Sequence, residues 1–337
     1  MKSLNSSEFA AALVNDLLPL DDVARLIEGG SPLALAGTAK ALSSLPEGNW
    51  IGGTTPYFMT AEGGTTVSDD LVFVTDLSPL GSVTIKAYTS DLLEYISHDV
   101  PDHGFAIAIF PFESPCHTRF AMDAPGYPLT FVKPVVGWIA GYNLDEGGKA
   151  LAFDGRERFG HQRDVVVAHI DMGEGGMAMP AIVNPFKAGE GEVITFLEPG
   201  FIQRTAIING VETDFAAFVR EKGLDHGELP LVGDYAGAAI NVSVQQVEAD
   251  GSVHLYAPAF PGVEYRFAAP LEDYAATLRS GIDGVAEADA VWSCNCILNF
   301  LFGKLEGQAI GGIAGPVTFG EVAFQLLNQT YVTVNRV

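Results

Sequence analysis

An apolar strand broken by glycine and leading into a turn occurs three times in this chain, and no other feature restricts its fold as much. The copies are Ile51-Gly52-Gly53-Thr54, Val136-Gly137-Trp138-Ile139-Ala140-Gly141 and Ile310-Gly311-Gly312-Ile313-Ala314-Gly315. Each is followed by a polar residue and a β-rich run: Leu71-Val72-Phe73-Val74 after Asp70, Val165-Val166-Val167-Ala168 after Asp164, and Tyr331-Val332-Thr333-Val334 after Thr330. The first and third spans are nearly equal, whereas a polar insertion over 144–163 lengthens the second. Recurrence of this grade points to related supersecondary units of helix, strand, glycine strand, turn and strand. Chance similarity among strands rich in Gly, Val and Ile is the alternative.

Around these copies the pattern predicts an α/β (α+β) protein of two related halves, with mixed, largely buried β-sheets flanked by helices. Residues 1–48 read as a helical segment. Phe9, Leu13, Leu17 and Leu18 form one stripe before Pro19, Val23, Leu26 and Ile27 a second before Gly29-Gly30, and Leu33, Leu35, Ala39 and Leu42 a third opened by Ser31-Pro32. One half then spans 49–180 and the other 181–337, with the glycine-rich stretch 172–200 as the linker. Further helices are expected over Ser90–Tyr95, Asp214–Val219 and from Pro270. A hairpin is expected across Ala249-Asp250-Gly251-Ser252.

At 337 residues the chain exceeds the size at which one core stops growing. Forty-two acidic against eighteen basic residues give a net charge of −24, which repels nucleic acid and anionic membranes. No apolar run reaches the roughly 20 residues of a spanning helix, and the first twenty residues lack the basic end and cleavage site of a signal peptide. Three cysteines are too few for a disulfide framework. A reduced, soluble, cytoplasmic protein is expected.

Phosphate loops, dinucleotide fingerprints, zincin helices and nucleophile elbows are missing from the sequence, and no cofactor or metal is expected. Cys294-Asn295-Cys296 lacks the gap of a zinc knuckle, so small core residues are the better reading than a site shared with Cys116 and His117. Cys296 or Cys294 with His117 as base would make a nucleophilic centre only if an orienting group joined them. Glu321 is more specific, because an unpaired carboxylate inside the apolar block Thr318–Val322 would cost several kcal/mol to bury. Asn328 and Thr330 offer short polar groups on one face of a strand, although ordinary turn chemistry explains them equally well.

These C-terminal residues resemble the FIST sensory domain. That family ends in a cysteine-bearing strand, a Gly-Phe-x-x-x-Gly-Glu-Ile step and His-Asn-Gln-Thr before a last strand. Cys296, Gly312 through Gly320-Glu321-Val322, and Leu327-Asn328-Gln329-Thr330 stand in those places. Asn299 replaces the family's arginine, Leu327 its histidine, and the Val136–Tyr142 stretch its N-terminal Gly-Cys-Ser turn. The resemblance spans most of 90–337 and implies a domain that senses small molecules such as amino acids and passes the signal to a separate protein.

The expectation is therefore a small-ligand-binding, sensor-like protein without catalysis, with self-association left open. Cys296, Asn299, Gly312, Gly320, Glu321, Asn328, Thr330 and Tyr142 would line its pocket, Glu321 meeting an amine and Asn328 and Thr330 the carboxylate or carbonyl oxygens. The alternative is a cysteine-dependent hydrolase or transferase acting on a small amide or ester through Cys296, Cys294 and His117.

Overall fold

The three glycine stretches belong to three copies of one unit in the computed structural model, which describes residues 14–157, 159–235, 238–285 and 290–337. Each unit has an entry strand and a helix, then two parallel strands joined by a helix, a short hairpin, and a return strand. The first contains β1 (Asn15–Pro19), α1 (Leu20–Glu28), β2 (Leu33–Gly37), α2 (Ala39–Ser44), β3 (Trp50–Thr54), the hairpin β4 (Tyr57–Thr60) and β5 (Gly63–Thr66), and β6 (Leu71–Asp76). The second contains β7 (Ser82–Tyr88), α3 (Tyr95–Asp99), β8 (Gly104–Pro111), α4 (Pro115–Asp123), β9 (Val135–Ala140), the hairpin β10 (Ala152–Asp154) and β11 (Phe159–His161), and β12 (Val165–Asp171).

The third unit is split after its entry strand β13 (Ala178–Val183). An insertion follows, with β14 (Ile194–Thr195), β15 (Gly200–Gln203), β16 (Thr205–Ile208), β17 (Val211–Asp214), α5 (Phe215–Glu221), β18 (Leu231–Tyr235), β19 (Ala238–Val242), β20 (Val244–Val247), β21 (Val253–Ala259) and β22 (Tyr265–Phe267). The unit then resumes with α6 (Tyr274–Asp283), β23 (Ala290–Cys296), α7 (Ile297–Phe302), β24 (Gly315–Thr318), the hairpin β25 (Glu321–Ala323) and β26 (Gln325–Leu327), and β27 (Tyr331–Arg336). Strands far outweigh helices, and the class is α+β, as the patterning implies.

The sheets show how the units interlock. In each unit the return strand lies antiparallel to the first parallel strand, and the entry strand lies antiparallel to the return strand. The hairpin does not stay at home. Hairpin β4–β5 of the first unit extends the third unit's sheet, β10–β11 of the second extends the first, and β25–β26 of the third extends the second. The exchange closes on itself, so three six-stranded sheets hold one another around a shared interior. Ala34, Ile51 and Phe73, Ile107, Trp138 and Val166, and Trp292, Cys294 and Val332 meet there, with Trp138 and Trp292 stacked at 6.1 Å. Two of the three exchanges cross the expected division at residue 180, and the repeating unit is smaller than a half.

Several local expectations change for identifiable reasons. Leu33 to Gly37 forms β2 and not a helix. All five residues are buried, and a parallel strand covered on both faces reads as an unbroken apolar run that periodicity cannot separate from a helix. Leu17 and Leu18 lie in β1, while Phe9 and Leu13 fall outside the described residues. The helix expected at Ser90 forms at Tyr95–Asp99, and that from Pro270 starts at Tyr274, where Asp273 accepts the Ala276 amide at 2.9 Å. Within the glycine-rich 172–200 stretch, β13 pairs with β27 along six residues. Ile310 to Ala314 is loop, and the third unit's second parallel strand is β24. Among the described residues no helix is long and apolar enough to cross a membrane.

Candidate ligand-binding cleft

Parallel strand pairs end with their carbonyl edges and following loops at one end of a sheet, where open α/β sheets characteristically leave a crevice. Here three such pairs are stitched together at that end. The Thr54 hydroxyl donates to Gly141 O at 2.6 Å, the Phe319 amide to Ile139 O at 3.0 Å, and the Thr55 hydroxyl to Val317 O at 2.6 Å. The residues just beyond β8, β9 and β24 are Phe112, Gly141-Tyr142 and Phe319. Phe319 packs edge-on against Phe112 at 5.3 Å and against Tyr142 at 5.1 Å.

The insertion roofs these aromatics and leaves two adjoining cavities. One of about 230 Å³ is bounded by Phe112, His117, Phe201, Gln245 and Tyr256. The other, about 90 Å³, shares Phe112, Gln245 and Tyr256 and adds Tyr142, Leu298 and Phe319, with Asn328 at its edge. Among the described residues no lysine or arginine lines either cavity, and Glu113 is the sole carboxylate. His117 sits on α4, whose N-cap Ser114 accepts the His117 amide at 3.0 Å. Its Nδ1 accepts the Glu113 amide at 3.1 Å, which puts the ring proton on Nε2. Burial holds its pKa down to about 4, so the ring is a neutral donor at physiological pH. Among the described residues the Gln245 side chain has no hydrogen-bond partner, and neither do the hydroxyls of Tyr142 and Tyr256. The result is an aromatic slot whose uncommitted polar groups include His117 Nε2, the Gln245 side chain and two tyrosine hydroxyls, with no lysine or arginine among its described lining residues.

Beneath the slot lies a buried polar network tying the insertion to the third unit. Asn328 Oδ1 accepts from the Ser243 amide (3.2 Å) and hydroxyl (2.6 Å), and its Nδ2 donates to Asn241 O at 3.0 Å. Gln329 Nε2 donates to Tyr274 OH at 3.3 Å, which donates to Asn299 Oδ1 at 2.7 Å. Asn299 Nδ2 reaches Asn295 Oδ1 at 2.8 Å and Thr330 O at 2.9 Å. Glu321 Oε2 accepts from the Thr330 amide at 3.2 Å and hydroxyl at 2.6 Å, while Oε1 finds no partner. Burial raises the Glu321 pKa to about 8, against the opposing influence of Thr330 and the neighbouring Cys296 thiol, so the carboxyl is protonated at neutral pH.

The threefold repeat isolates what is unusual here. Glu321 lies opposite Trp138, the place taken in the other two hairpins by Ala152 opposite Gly53 and by Phe58 opposite Pro316. Both counterparts are apolar members of the shared interior. A carboxyl at this position is therefore not required to build the fold.

Of the eight residues expected to line a pocket, Tyr142 and Asn328 reach the slot. Glu321, Thr330, Cys296 and Asn299 are sealed in the network or beside it. Gly320 uses its carbonyl on the Ile139 amide, and Gly312 lies in the loop before β24, packed on Tyr331 and Ile282. His117 lines the slot, but no contact joins it to either cysteine. Burial, followed by the nearby Glu321, pushes both the Cys294 and Cys296 thiols well up, which disfavours the thiolate that nucleophilic chemistry needs. In the folded protein iodoacetamide should therefore leave all three cysteines unlabelled over hours, with full labelling on unfolding. Fast labelling of Cys294 or Cys296 at neutral pH would contradict this. Phe112, Phe201, Gln245, Tyr256, Leu298 and Phe319 were not singled out by the sequence reading. An aromatic just past a parallel strand, as at Phe112, Tyr142 and Phe319, is the one signal that could have found some of them.

One family model matches the chain, over residues 18–336, and is described as a family of unknown function (DUF6976). No curated protein and no solved structure matches it.

Proposed function

The chain belongs to the DUF6976 family, and from its geometry we propose that it is a small-ligand-binding, sensor-like protein whose site is the aromatic slot between the insertion and the interlocked sheets. The observation that carries this reading is the slot's lining: edge-packed aromatic walls with His117 Nε2, the Gln245 side chain and two tyrosine hydroxyls unpaired. Ligand sites have this character, mostly apolar with a few orienting polar groups, and they favour seams between structural blocks.

The lining also narrows the ligand. A free amino acid carries a carboxylate, and no cationic side chain meets the slot; Glu321, expected to take the amine, is buried away from it. A flat, uncharged molecule with hydrogen-bond acceptors fits better, its rings against Phe112, Tyr256 and Phe319. Binding would draw the insertion's Phe201, Gln245 and Tyr256 toward the sheets, a change that a separate protein could read. This keeps the role implied by the FIST-type resemblance while replacing the amino-acid ligand. No observation favours the cysteine-dependent hydrolase.

A thermal-shift panel of uncharged heteroaromatic compounds, followed by calorimetric titration of any hit, tests the reading. Tyr256→Ala and the slot-filling Leu298→Trp should each weaken a hit at least tenfold, where ~1.4 kcal/mol is a factor of ten. If both variants bind it as tightly as the parent, the slot is not the site.

A further inference from the structure

A cavity of about 520 Å³ lies at the same end of the molecule but beside the first unit, and the proposed function makes no use of it. It opens where β2 and β3 end, at Thr38 to Lys40 and Thr54 to Pro56, and its far wall is the loop 141–149. That loop exceeds what the repeat requires. Two residues, 55–56, link β3 to its hairpin and two, 319–320, link β24 to its own, whereas 141–151 stand between β9 and β10. The extra residues are also held in shape. Tyr57 OH accepts the Leu144 amide at 2.9 Å, Asn143 Oδ1 accepts the Asp145 and Glu146 amides at 2.9 and 3.3 Å, and Gly147 donates to Asn143 O at 2.8 Å.

The chemistry inside differs from that of the aromatic slot. Asp69 is fixed by the Thr38 hydroxyl at 2.6 Å on one oxygen and by Lys40 at 2.8 Å on the other, leaving lone pairs on both. Among the described residues the side chains of Ser68 and Lys149 have no hydrogen-bond or ion-pair partner, and Tyr142 offers its ring and a free hydroxyl. The charges cancel, Lys40 and Lys149 against Asp69 and Glu146, so nothing in this wall selects an ion. A rigid carboxylate acceptor, an ammonium donor, free hydroxyls and one aromatic face together suit a neutral ring bearing several hydroxyls.

We propose that this cleft is a second binding site, for a neutral polyhydroxylated ligand of the monosaccharide or cyclitol class. Asp69 accepts from a pair of adjacent ligand hydroxyls, Lys149 and Ser68 donate to others, and the Tyr142 ring covers an apolar ring face. Sites that pair every ligand hydroxyl discriminate strongly against analogues lacking one, because the protein group is then left unmatched.

Calorimetric titration of the full chain with glucose, galactose, ribose and myo-inositol, and with inorganic phosphate as the ionic control, tests the assignment. At least one neutral compound should bind one to one with Kd below about 1 mM, unchanged in about 0.5 M NaCl. Asp69→Asn should weaken it at least tenfold and Lys149→Ala several-fold, with the melting temperature of the exposed Lys149→Ala variant unaltered. Should Asp69→Asn fold poorly, Ser68→Tyr, which fills the cleft from its rim, should abolish binding in a folded protein. Two results overturn the proposal: none of the four compounds binding at about 10 mM, or phosphate displacing the bound compound with affinity that falls steeply in salt. Neither result would touch the aromatic slot, whose lining shares only Tyr142 with this cleft.

Discussion

Replacing Glu321 by glutamine is expected to stabilise the protein, increasingly so as the pH rises from about 4.5 to 8. The carboxyl is fully buried and has a folded-state pKa of about 8 against an ordinary value of 4.5. Between those values the unfolded chain releases the proton while the folded chain keeps it. Stability present below pH 4.5 is thus lost as the pH climbs to 8, at about 1.4 kcal/mol per unit. Glutamine keeps the shape and an oxygen for the Thr330 amide and hydroxyl but never ionises. At pH 8 the variant should exceed the parent by a few kcal/mol, of the order of 3–5, and the two should converge near pH 4.5. His117 and His169, both held down to about 4 by burial, act oppositely and remove stability as the pH falls from 6.5 to 4. They are common to both proteins, so the difference between the two urea-unfolding curves isolates Glu321. Parallel curves across the window would mean that the carboxyl ionises freely in the folded state.

The second large effect is expected at Gly137. Its φ is 150°, and a Cβ there would stand 1.8 Å from Ala108 O on the paired strand β8. The clash is with backbone in the interior of a sheet that also receives β25 opposite this residue. Gly137→Ala should therefore cost more than about 4 kcal/mol, beyond the usual range of point substitutions, and leave little folded protein at 37 °C. Gly30→Ala is the control. Its φ of 84° is also left-handed, but nothing lies within 4 Å, so the loss should be limited to about 1–2 kcal/mol of backbone strain. A folded Gly137→Ala variant with a melting temperature near that of Gly30→Ala would show that β9 can move away from β8.

Gly137 was legible in the sequence as the break in a recurring strand, and so was the glycine pair of the first copy, which lies in β3. The return strands came at their right places as well, since Leu71, Val165 and Tyr331 each begin a buried run after a polar residue. The third copy was misplaced by a few residues because Ile310 to Ala314 has the composition of a strand, and only pairing with β23 and β4 identifies β24 as the strand. Glu321 was likewise recognised as a carboxylate in an apolar block. What covers it was not readable. Alternation along β25 fixes the face on which the side chain lies, but the occupants of that face come from β9 and β27, the first of them far away in the chain.

The sequence by itself determined the α+β class, a glycine-broken strand that recurs three times and the polar character of the Asn-Gln-Thr step, because local periodicity and turn chemistry act over a few residues; it divided the chain into two halves, not three units. Only the tertiary structure decided that the hairpins are exchanged around a closed ring of sheets and that the insertion roofs the carboxyl ends of the parallel strands. The same arrangement makes Glu321 and Thr330 internal supports and leaves Phe112, Tyr256 and Phe319 as half-buried walls facing the cavities. Burial is a property of what packs on a residue from elsewhere in the chain, and in this protein those neighbours are supplied by other units.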